Sequence, residues 1–366
     1  MADQGELPSS ATASAPSGSP ASPTDAIPRH ILDRLDPEFI QFFIDVQSKV
    51  PPAQDMTIEL VRASPEKFRA PCALDTSGYE RVKDYEVASK DGARFPVRVY
   101  SPDPARFGEG PYPVHLNFHV ELPAGGGFVL GDLMSEASLC LSMRDGAGVV
   151  IVDVNYRHCP ETVWGKCFED AFAALNWVHT SPSLLNIDPQ SISIGGISAG
   201  GHITVVLQHM ARDAGIPLRL AMPSVAPSSD ALTYKDYTDS PYRSFVEFYN
   251  GPVLPWARIH WFGLQCFPPD RTDEIRALWP EWWVEPIKAA NLAGLCETFM
   301  RTGEMDPLRD EGEAYAEKLK EGGVRVRVKR YPGSVHTFMY VDSLGRKKEY
   351  DRDSVEALRA AHGVVA

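Results

Sequence analysis

Apolar residues recur along the chain with two different periods. From about residue 85 onward, short runs rich in β-branched residues, such as 149–152, alternate with longer stretches in which apolar residues return every three or four positions. The short runs are typical of strands and the longer stretches of amphipathic helices. Strands that alternate with helices indicate an α/β fold, with a mostly parallel sheet covered by helices on both faces. The runs predict seven or eight strands, at 82–88, 95–101, 112–119, 148–155, 191–196, 218–225, 297–303 and 325–331.

Helical periodicity is clearest in three segments. Two of these apolar stripes end at Gly215 and at Gly322, as expected where a helix stops. The third begins at Ile31, has acidic residues on its polar face and ends before the prolines at 51–52. A helix that binds anionic membranes would carry Lys and Arg on that face. We therefore expect this third helix to pack on the domain or to cover its pocket.

Composition divides the chain into four parts. Residues 1–30 are rich in Ser, Ala and Pro, and they have too few apolar side chains to offset the entropy of ordering, which predicts a disordered tail. Residues 31–84 are predicted to be a separate helical segment, and 85–226 together with 284–366 are predicted to form the α/β core. Residues 227–283 show no strand pattern, so we interpret them as an insertion above the sheet. Its aromatic residues either pack locally or line an apolar pocket: Trp256, Trp261, Phe262, Trp279, Trp282 and Trp283.

Charge and composition exclude several classes of function. The 366-residue chain has a net charge of −13 at pH 7, which argues against nucleic acid and anionic membranes as partners. No apolar run approaches the ~18 residues of a membrane span, and the N-terminus lacks the basic and apolar regions of a signal peptide. Six cysteines without CxxC spacing predict reduced thiols. We expect a cytoplasmic protein that holds no metal and no cofactor, and the sequence leaves open whether it forms a homodimer.

A glycine-rich turn places one serine between a predicted strand and a predicted helix. The turn is GGISAGG at 195–201, with Ser198 at its centre. A nucleophile on such a turn needs small neighbours, because its backbone is strained and lies close to other segments. The N-terminus of the following helix offers backbone N–H groups to an oxyanion. The alternative is a glycine-rich turn in which the serine has no chemical role.

A second glycine cluster follows the strand that ends near His119. It is GGGF at 125–128, and it precedes a helix predicted from about Asp132. Glycine N–H groups can approach an anionic oxygen closely, so the cluster is a candidate oxyanion loop. The glycines also imitate a dinucleotide-binding fingerprint. That interpretation is weak, because GxGxxxG is not the usual spacing and the acid that ends the next strand is Asp153 rather than Asp145.

A serine hydrolase also needs a base and an acid that orients it. In this architecture they follow the nucleophile along the chain, the Asp or Glu before the His. Asp306 follows the seventh predicted strand, and His336 follows the last one. Both positions lie at carboxyl ends of strands, as does Ser198, so the three side chains can meet. Glu304 and Asp310 are competing acids, which we interpret as surface or helix-terminal charges.

These motifs resemble the hormone-sensitive-lipase branch of the α/β-hydrolases, which includes bacterial and fungal carboxylesterases and the arylacetamide deacetylases. The resemblance runs from about Tyr85 to the C-terminus, and its motifs are His119 with GGGF at 125–128, YRHCPE at 156–161, SAGG at 198–201, DPLRDEG at 306–312, and Gly333 with His336 and Phe338. It implies the α/β-hydrolase fold, with an eight-stranded, mostly parallel sheet and a helical cap. The resemblance implies a catalytic triad of Ser198, Asp306 and His336. It also implies an oxyanion hole formed by the N–H groups of Gly126, Gly127 and Ala199.

Two departures from the family pattern fall on the predicted site. The family has its histidine and glycines without interruption, whereas Val120 to Ala124 separate His119 from the glycines here. The insertion either displaces the oxyanion N–H groups or bulges outward and leaves them in register. The residue before the nucleophile is Ile197, where the family usually has Asp or Glu.

The resemblance implies a serine esterase that acts through an acyl-enzyme on Ser198. The aromatic insertion favours small to medium esters of apolar molecules, and similarity to fungal members points to secondary metabolism or detoxification. One alternative on the same fold is a non-hydrolytic catalyst, such as a cyclase, dehydratase or acyl transferase, which a weakened oxyanion hole would harm less. A second alternative is a ligand-binding protein, against which the intact His336 speaks.

Overall fold

An eight-stranded sheet forms the centre of the molecule. The computed structural model describes residues 22–49, 55, 57–119 and 126–364. Each predicted strand is present near its expected bounds, although the fifth begins earlier than its apolar run. The strands are β1 (Val82–Ala88), β2 (Arg94–Tyr100), β3 (Tyr112–Phe118), β4 (Val150–Val154), β5 (Ile187–Ile197), β6 (Leu220–Ser224), β7 (Glu297–Gly303) and β8 (Val326–Tyr331).

The strands follow one another in the order β1-β2-β4-β3-β5-β6-β7-β8. β2 pairs antiparallel with both β1 and β4, and every pair from β4 to β8 is parallel. All five residues of β4 are buried, because the sheet is covered on both faces. The predicted fold class is therefore confirmed. The parallel topology also brings the carboxyl ends of β3, β5, β7 and β8 to one edge, which is where the candidate site lies.

Fourteen α-helices occur in the described residues. They are α1 (Arg29–Leu32), α2 (Pro37–Asp45), α3 (Ile58–Ala63), α4 (Pro104–Phe107), α5 (Ala137–Ala147), α6 (Lys166–Thr180), α7 (Pro182–Leu185), α8 (Ala199–Asp213), α9 (Arg243–Glu247), α10 (Trp256–Cys266), α11 (Thr272–Ala277), α12 (Glu281–Val284), α13 (Arg309–Glu321) and α14 (Gly345–His362). The two stripes predicted to end at Gly215 and Gly322 are α8 and α13.

The N-terminal segment differs from its prediction in two ways. The expected single helix from Ile31 is divided into α1 and α2, because Asp36 caps a new helix whose first residue is Pro37. Helical structure also begins before residue 31, since Pro23–Ala26 forms a 3-10 turn and Ile27 is buried. The predicted tail boundary at residue 30 is therefore too late, and the rest of the predicted tail, 1–21, lies outside the described residues.

The second glycine cluster and the insertion also correct details of the prediction. The helix expected from about Asp132 begins at Ala137 as α5, because Asp132 closes a turn through its contacts with Met134 N–H and Ser135. The insertion 227–283 contains α9, α10, α11, most of α12 and two 3-10 turns, and it has no strand. Ile259 and Phe262 of α10, together with Val284 at the end of α12, line the cavity described below.

Three further expectations bear on membranes, metals and thiols. None of the described helices has the length and apolar character needed to cross a membrane. In the described part of the chain, no group of three His, Cys, Asp or Glu side chains could hold a metal ion. The six cysteines are free thiols, and all except the half-buried Cys296 are buried.

Candidate active site

Ser198 occupies a strained turn between β5 and α8. Its backbone has φ 55° and ψ −117°, a conformation that side chains rarely adopt. The turn is possible because its neighbours are glycines: a Cβ on Gly200 would lie 1.8 Å from the carbonyl oxygen of Phe118, and one on Gly196 would lie 2.6 Å from Gly200. The sequence pattern had predicted this turn, and its strain presents the hydroxyl group at the end of the sheet.

The structure brings Ser198 together with the two residues that were predicted to accompany it. His336 Nε2 lies 2.8 Å from Ser198 Oγ, and His336 Nδ1 lies 2.8 Å from Asp306 Oδ2. The other carboxylate oxygen, Asp306 Oδ1, accepts the Leu308 N–H at 2.9 Å. Ser198 is 7% exposed, His336 1% and Asp306 0%. This arrangement can activate a hydroxyl group, because the histidine can take its proton while the aspartate fixes the tautomer of the imidazole.

The two competing acids bind elsewhere. Glu304 accepts the N–H of Gly333 and pairs with Arg34. Asp310 pairs with Arg309 and accepts the N–H of Ser244. Asp306 is therefore the acid of this loop that reaches His336.

The glycine loop lines the same cavity as Ser198. Gly127 has φ 50°, and a Cβ there would lie 2.3 Å from the Phe262 ring, so only glycine fits between the loop and α10. Cys266, also on α10, donates its thiol to the Gly127 carbonyl oxygen at 3.4 Å. Gly127 and Ala199 line the cavity beside Ser198. The inserted residues Val120 to Ala124, on which the register of the oxyanion loop depends, lie outside the described residues.

Ser198 opens into an apolar cavity that is partly open to solvent. The walls come from the core and from the insertion, and the insertion also contributes the polar residues Ser229 and Asp230. The aromatic contribution of the insertion is Phe262 and Phe267 rather than its tryptophans. The residues that supply the apolar walls include Phe128, Trp164, Leu232, Leu254, Ile259, Phe262, Phe267, Val284 and Leu308.

Trp279, Trp282 and Trp283 of the insertion pack locally and are not among the residues that line the cavity. Trp279 stacks on Trp283 with ring centroids 5.1 Å apart, and Trp282 packs against His209 at 4.9 Å. Trp283 also contacts Phe168 of α6. These rings attach the insertion to the core, which is the local-packing alternative.

His119 lies beside the glycine loop in a buried polar network. Its Nδ1 lies 3.1 Å from Asp153 Oδ1 and its Nε2 lies 3.2 Å from Asn155 Oδ1. Burial disfavours the charged imidazole, but the adjacent Asp153 carboxylate outweighs this effect and raises the pKa of His119 to about 9. Asp153, the acid near the end of β4 that was compared with the dinucleotide-binding pattern, is fully buried and also accepts a hydrogen bond from Asn117 Nδ2. The structure therefore gives the dinucleotide fingerprint no support.

Sequence reasoning missed one buried acid behind the cavity. Glu311, in the first turn of α13, accepts the N–H of Ser228 at 2.9 Å and the hydroxyl group of Ser229, which lines the cavity. Burial raises the pKa of Glu311 to about 7. An acid in the first turn of a helix usually faces solvent, so the pattern contained no signal for this contact.

Comparisons with known proteins agree with this fold. A family model described as the alpha/beta hydrolase fold matches residues 118–340. The carboxylesterase NlhH of Mycobacterium tuberculosis is 32% identical, over 77% of this chain and 82% of that protein. An AB hydrolase superfamily protein of Schizosaccharomyces pombe is 29% identical, over 90% of this chain and 95% of that protein. A solved structure, the hyperthermophilic esterase of Pyrobaculum calidifontis, is 30% identical with a TM-score of 0.75, over 89% of this chain and 98% of the other.

The class that fold and site define is that of the α/β-hydrolases. The chain belongs to this family, in its hormone-sensitive-lipase-like branch of carboxylic ester hydrolases. The resemblance found in the sequence is thereby confirmed, for the family and for the fold.

Proposed function

We propose that this protein is a serine carboxylesterase that hydrolyses small to medium esters of apolar molecules. The observation that carries the proposal is the hydrogen-bonded series Ser198–His336–Asp306, whose serine opens into an apolar cavity. The esterases among the relatives support the reaction class. The apolar walls support the substrate class, because such walls favour apolar acyl and alcohol groups.

In the proposed mechanism, Ser198 Oγ attacks the carbonyl carbon of the ester while His336 Nε2 takes the serine proton. Asp306 holds the imidazole in the required tautomer and stabilises its charged form. N–H groups of Gly126, Gly127 and Ala199 bind the oxyanion, and His336 returns the proton to the leaving alcohol. Water, deprotonated by the same histidine, then attacks the acyl-enzyme and releases the carboxylic acid.

Two further assignments complete the proposal. Residues 31–84, together with the insertion 227–283, act as a cap that covers the cavity. For the insertion, the position of Leu254 and Phe262 in the cavity wall supports this assignment. The biological role that we propose is secondary metabolism or detoxification, in the cytoplasm. Similarity to a fungal relative is the support for that role.

The test is covalent labelling with a fluorophosphonate, read by intact mass, followed by a series of p-nitrophenyl esters of increasing chain length. We expect one adduct and ester turnover in the wild type, and neither in Ser198→Ala. The matched control is Ser191→Ala, because Ser191 lies on β5, the strand that leads to Ser198, and is likewise 7% exposed. That variant should keep both signals.

Other outcomes would change the assignment. Labelling of Ser198 without turnover of any ester would contradict hydrolysis and favour the non-hydrolytic catalyst. If the folded wild type forms no adduct, the proposed triad is wrong, and the fold serves to bind a ligand.

A further inference from the structure

Glu304 connects the two loops that carry Asp306 and His336. It lies two residues before Asp306, and its Oε2 accepts the N–H of Gly333, three residues before His336, at 2.8 Å. The Gly333 hydrogen bond, with help from Arg34, holds the pKa of Glu304 below its usual value, so the carboxylate stays charged near neutral pH. A side chain that the sequence indicated as a surface charge thus joins the aspartate loop to the histidine loop.

The N-terminal segment contacts both of these loops. Arg34 Nη2 lies 3.3 Å from Glu304, while Arg34 Nη1 lies 2.6 Å from Glu247 in the insertion. The Asp36 N–H donates to the carbonyl oxygen of Gly333 at 3.0 Å. Both backbone groups of Gly333 are therefore held, one by the core and one by the N-terminal segment.

The fit at Gly333 is close. Its φ is 65°, and a Cβ there would lie 2.9 Å from the nitrogen of Asp36 and 3.2 Å from the carbonyl oxygen of Arg34. Glycine is required both by this backbone conformation and by the approach of the N-terminal chain. The junction between α1 and α2, where Asp36 caps α2, thus packs against the histidine loop.

We propose that Glu304 and Arg34 are positioning residues for His336, so that Arg34 of the N-terminal segment helps to hold the histidine loop in place. This inference rests on the proposed function. Backbone hydrogen bonds also join the two loops: the Met305 N–H donates to the Ser334 carbonyl oxygen at 2.9 Å, and the Glu304 N–H donates to the Tyr331 carbonyl oxygen at 3.0 Å. The Glu304 side chain therefore adds to contacts that already hold the loops together. Glu304 and Arg34 keep 29% and 39% of their side chains exposed, which limits the size of the effect.

The test compares two glutamates that each accept a glycine N–H. Glu304 binds Gly333, whereas Glu38, on α2, binds Gly345 N–H at 2.6 Å, at the start of α14 and nine residues after His336 in the chain. We expect Glu304→Ala to lower kcat about tenfold with KM unchanged within about twofold, the loss expected for one hydrogen bond to a charged group. Glu38→Ala should leave both constants within about twofold of the wild type.

One conservative variant of Glu304 and one variant of its partner Arg34 separate positioning from general destabilisation. Glu304→Gln keeps an oxygen that can accept the Gly333 N–H but loses the charge that pairs with Arg34, so most of kcat should return. Arg34→Ala should lower kcat by about threefold, and it serves as the second route if Glu304→Ala does not fold. The rate of fluorophosphonate labelling should fall in parallel with kcat, because it requires the same histidine.

Hydrogen exchange provides a readout that does not depend on activity. Amides of 331–338 should exchange faster in Glu304→Ala than in the wild type, and Glu38→Ala should not change them. The inference is overturned if Glu304→Ala keeps kcat and the exchange of 331–338, or if Glu38→Ala loses as much of either. If the wild type neither labels nor turns over esters, the proposed function fails, and the exchange comparison still decides whether Glu304 holds the loop.

Discussion

Two buried histidine–aspartate pairs lie at the same edge of the sheet. His336 and Asp306 are 2.8 Å apart, and His119 and Asp153 are 3.1 Å apart. Both histidines are at most 1% exposed and both aspartates are fully buried. The pairs differ in what the second ring nitrogen meets, since Nε2 faces the Ser198 hydroxyl group in one pair and the Asn155 amide oxygen in the other.

The difference shows that the surroundings of a buried histidine–aspartate pair decide whether the pair can take part in a reaction. The Nε2 of His336 reaches a hydroxyl group on a strained turn that opens into a cavity. The ring of His119 is enclosed by acceptors, and its backbone oxygen is bound by the Tyr156 hydroxyl group at 2.9 Å. We interpret the second pair as structural, holding the strand end that leads into the glycine loop.

Replacement of His336 should have the largest effect and would test the comparison directly. We expect His336→Ala to lower kcat on p-nitrophenyl butyrate by about 10⁴-fold or more, because the variant has no base for Ser198. His119→Gln, the matched change in the other pair, should lower kcat by about tenfold at most. Circular dichroism would confirm that both variants are folded at the assay temperature. Comparable losses of kcat in the two variants would contradict the division of roles.

The second prediction concerns stability. His119→Gln should lower the free energy of unfolding by about 3 kcal/mol, because it leaves Asp153 as a buried charge that has lost its charged partner. Urea denaturation at pH 6.5 would measure this change. Gln keeps a donor for Asp153 but carries no charge. A variant as stable as the wild type would show that the His119 pair contributes no net stability.

The third prediction sharpens the comparison through pH. The pKa of His119 is raised from 6.5 to about 9, so the folded state keeps a proton that the unfolded state releases between these values. The stabilisation by this pair is fully present below pH 6.5 and is lost as the pH rises through about 9. The stability difference between wild type and His119→Gln should therefore shrink between pH 6.5 and 9.

His115 supplies the control for this pH dependence. It is also buried, and burial lowers its pKa to about 3. The stability difference between wild type and His115→Gln should therefore stay constant between pH 6.5 and 9, and change only at lower pH. A constant difference for His119→Gln over the same range would show that His119 is neutral in the folded protein.

Some parts of the site could be predicted because they are local. The turn at Ser198 depends on glycines within two residues of it, and both its strand and its helix have strong periodic patterns. Asp306 and His336 could be placed because parallel strands put their carboxyl ends at one edge. The relatives and the family model then confirmed the family that these motifs had indicated.

Other parts depend on contacts between segments far apart in the chain. The fit of Gly127 under Phe262 joins residues 135 positions apart, and Arg34 meets Glu304 across 270 positions. The tryptophans of the insertion could equally have lined a pocket or packed locally, since periodicity does not tell which face of a short helix meets the core. Their stacking on the core, and the role of Phe262 in the cavity, followed only from packing.

The sequence by itself determined the strands, the nucleophile turn and the order of the three site residues, because hydrophobic period and turn chemistry act over a few neighbouring residues. The partners of Glu304, the aromatic rings that line the cavity and the contacts that hold the histidine loop became visible only in the folded chain. Asp306 and Glu304 are two residues apart with the same charge. Their different partners, His336 and Gly333, are set by how the chain closes around them.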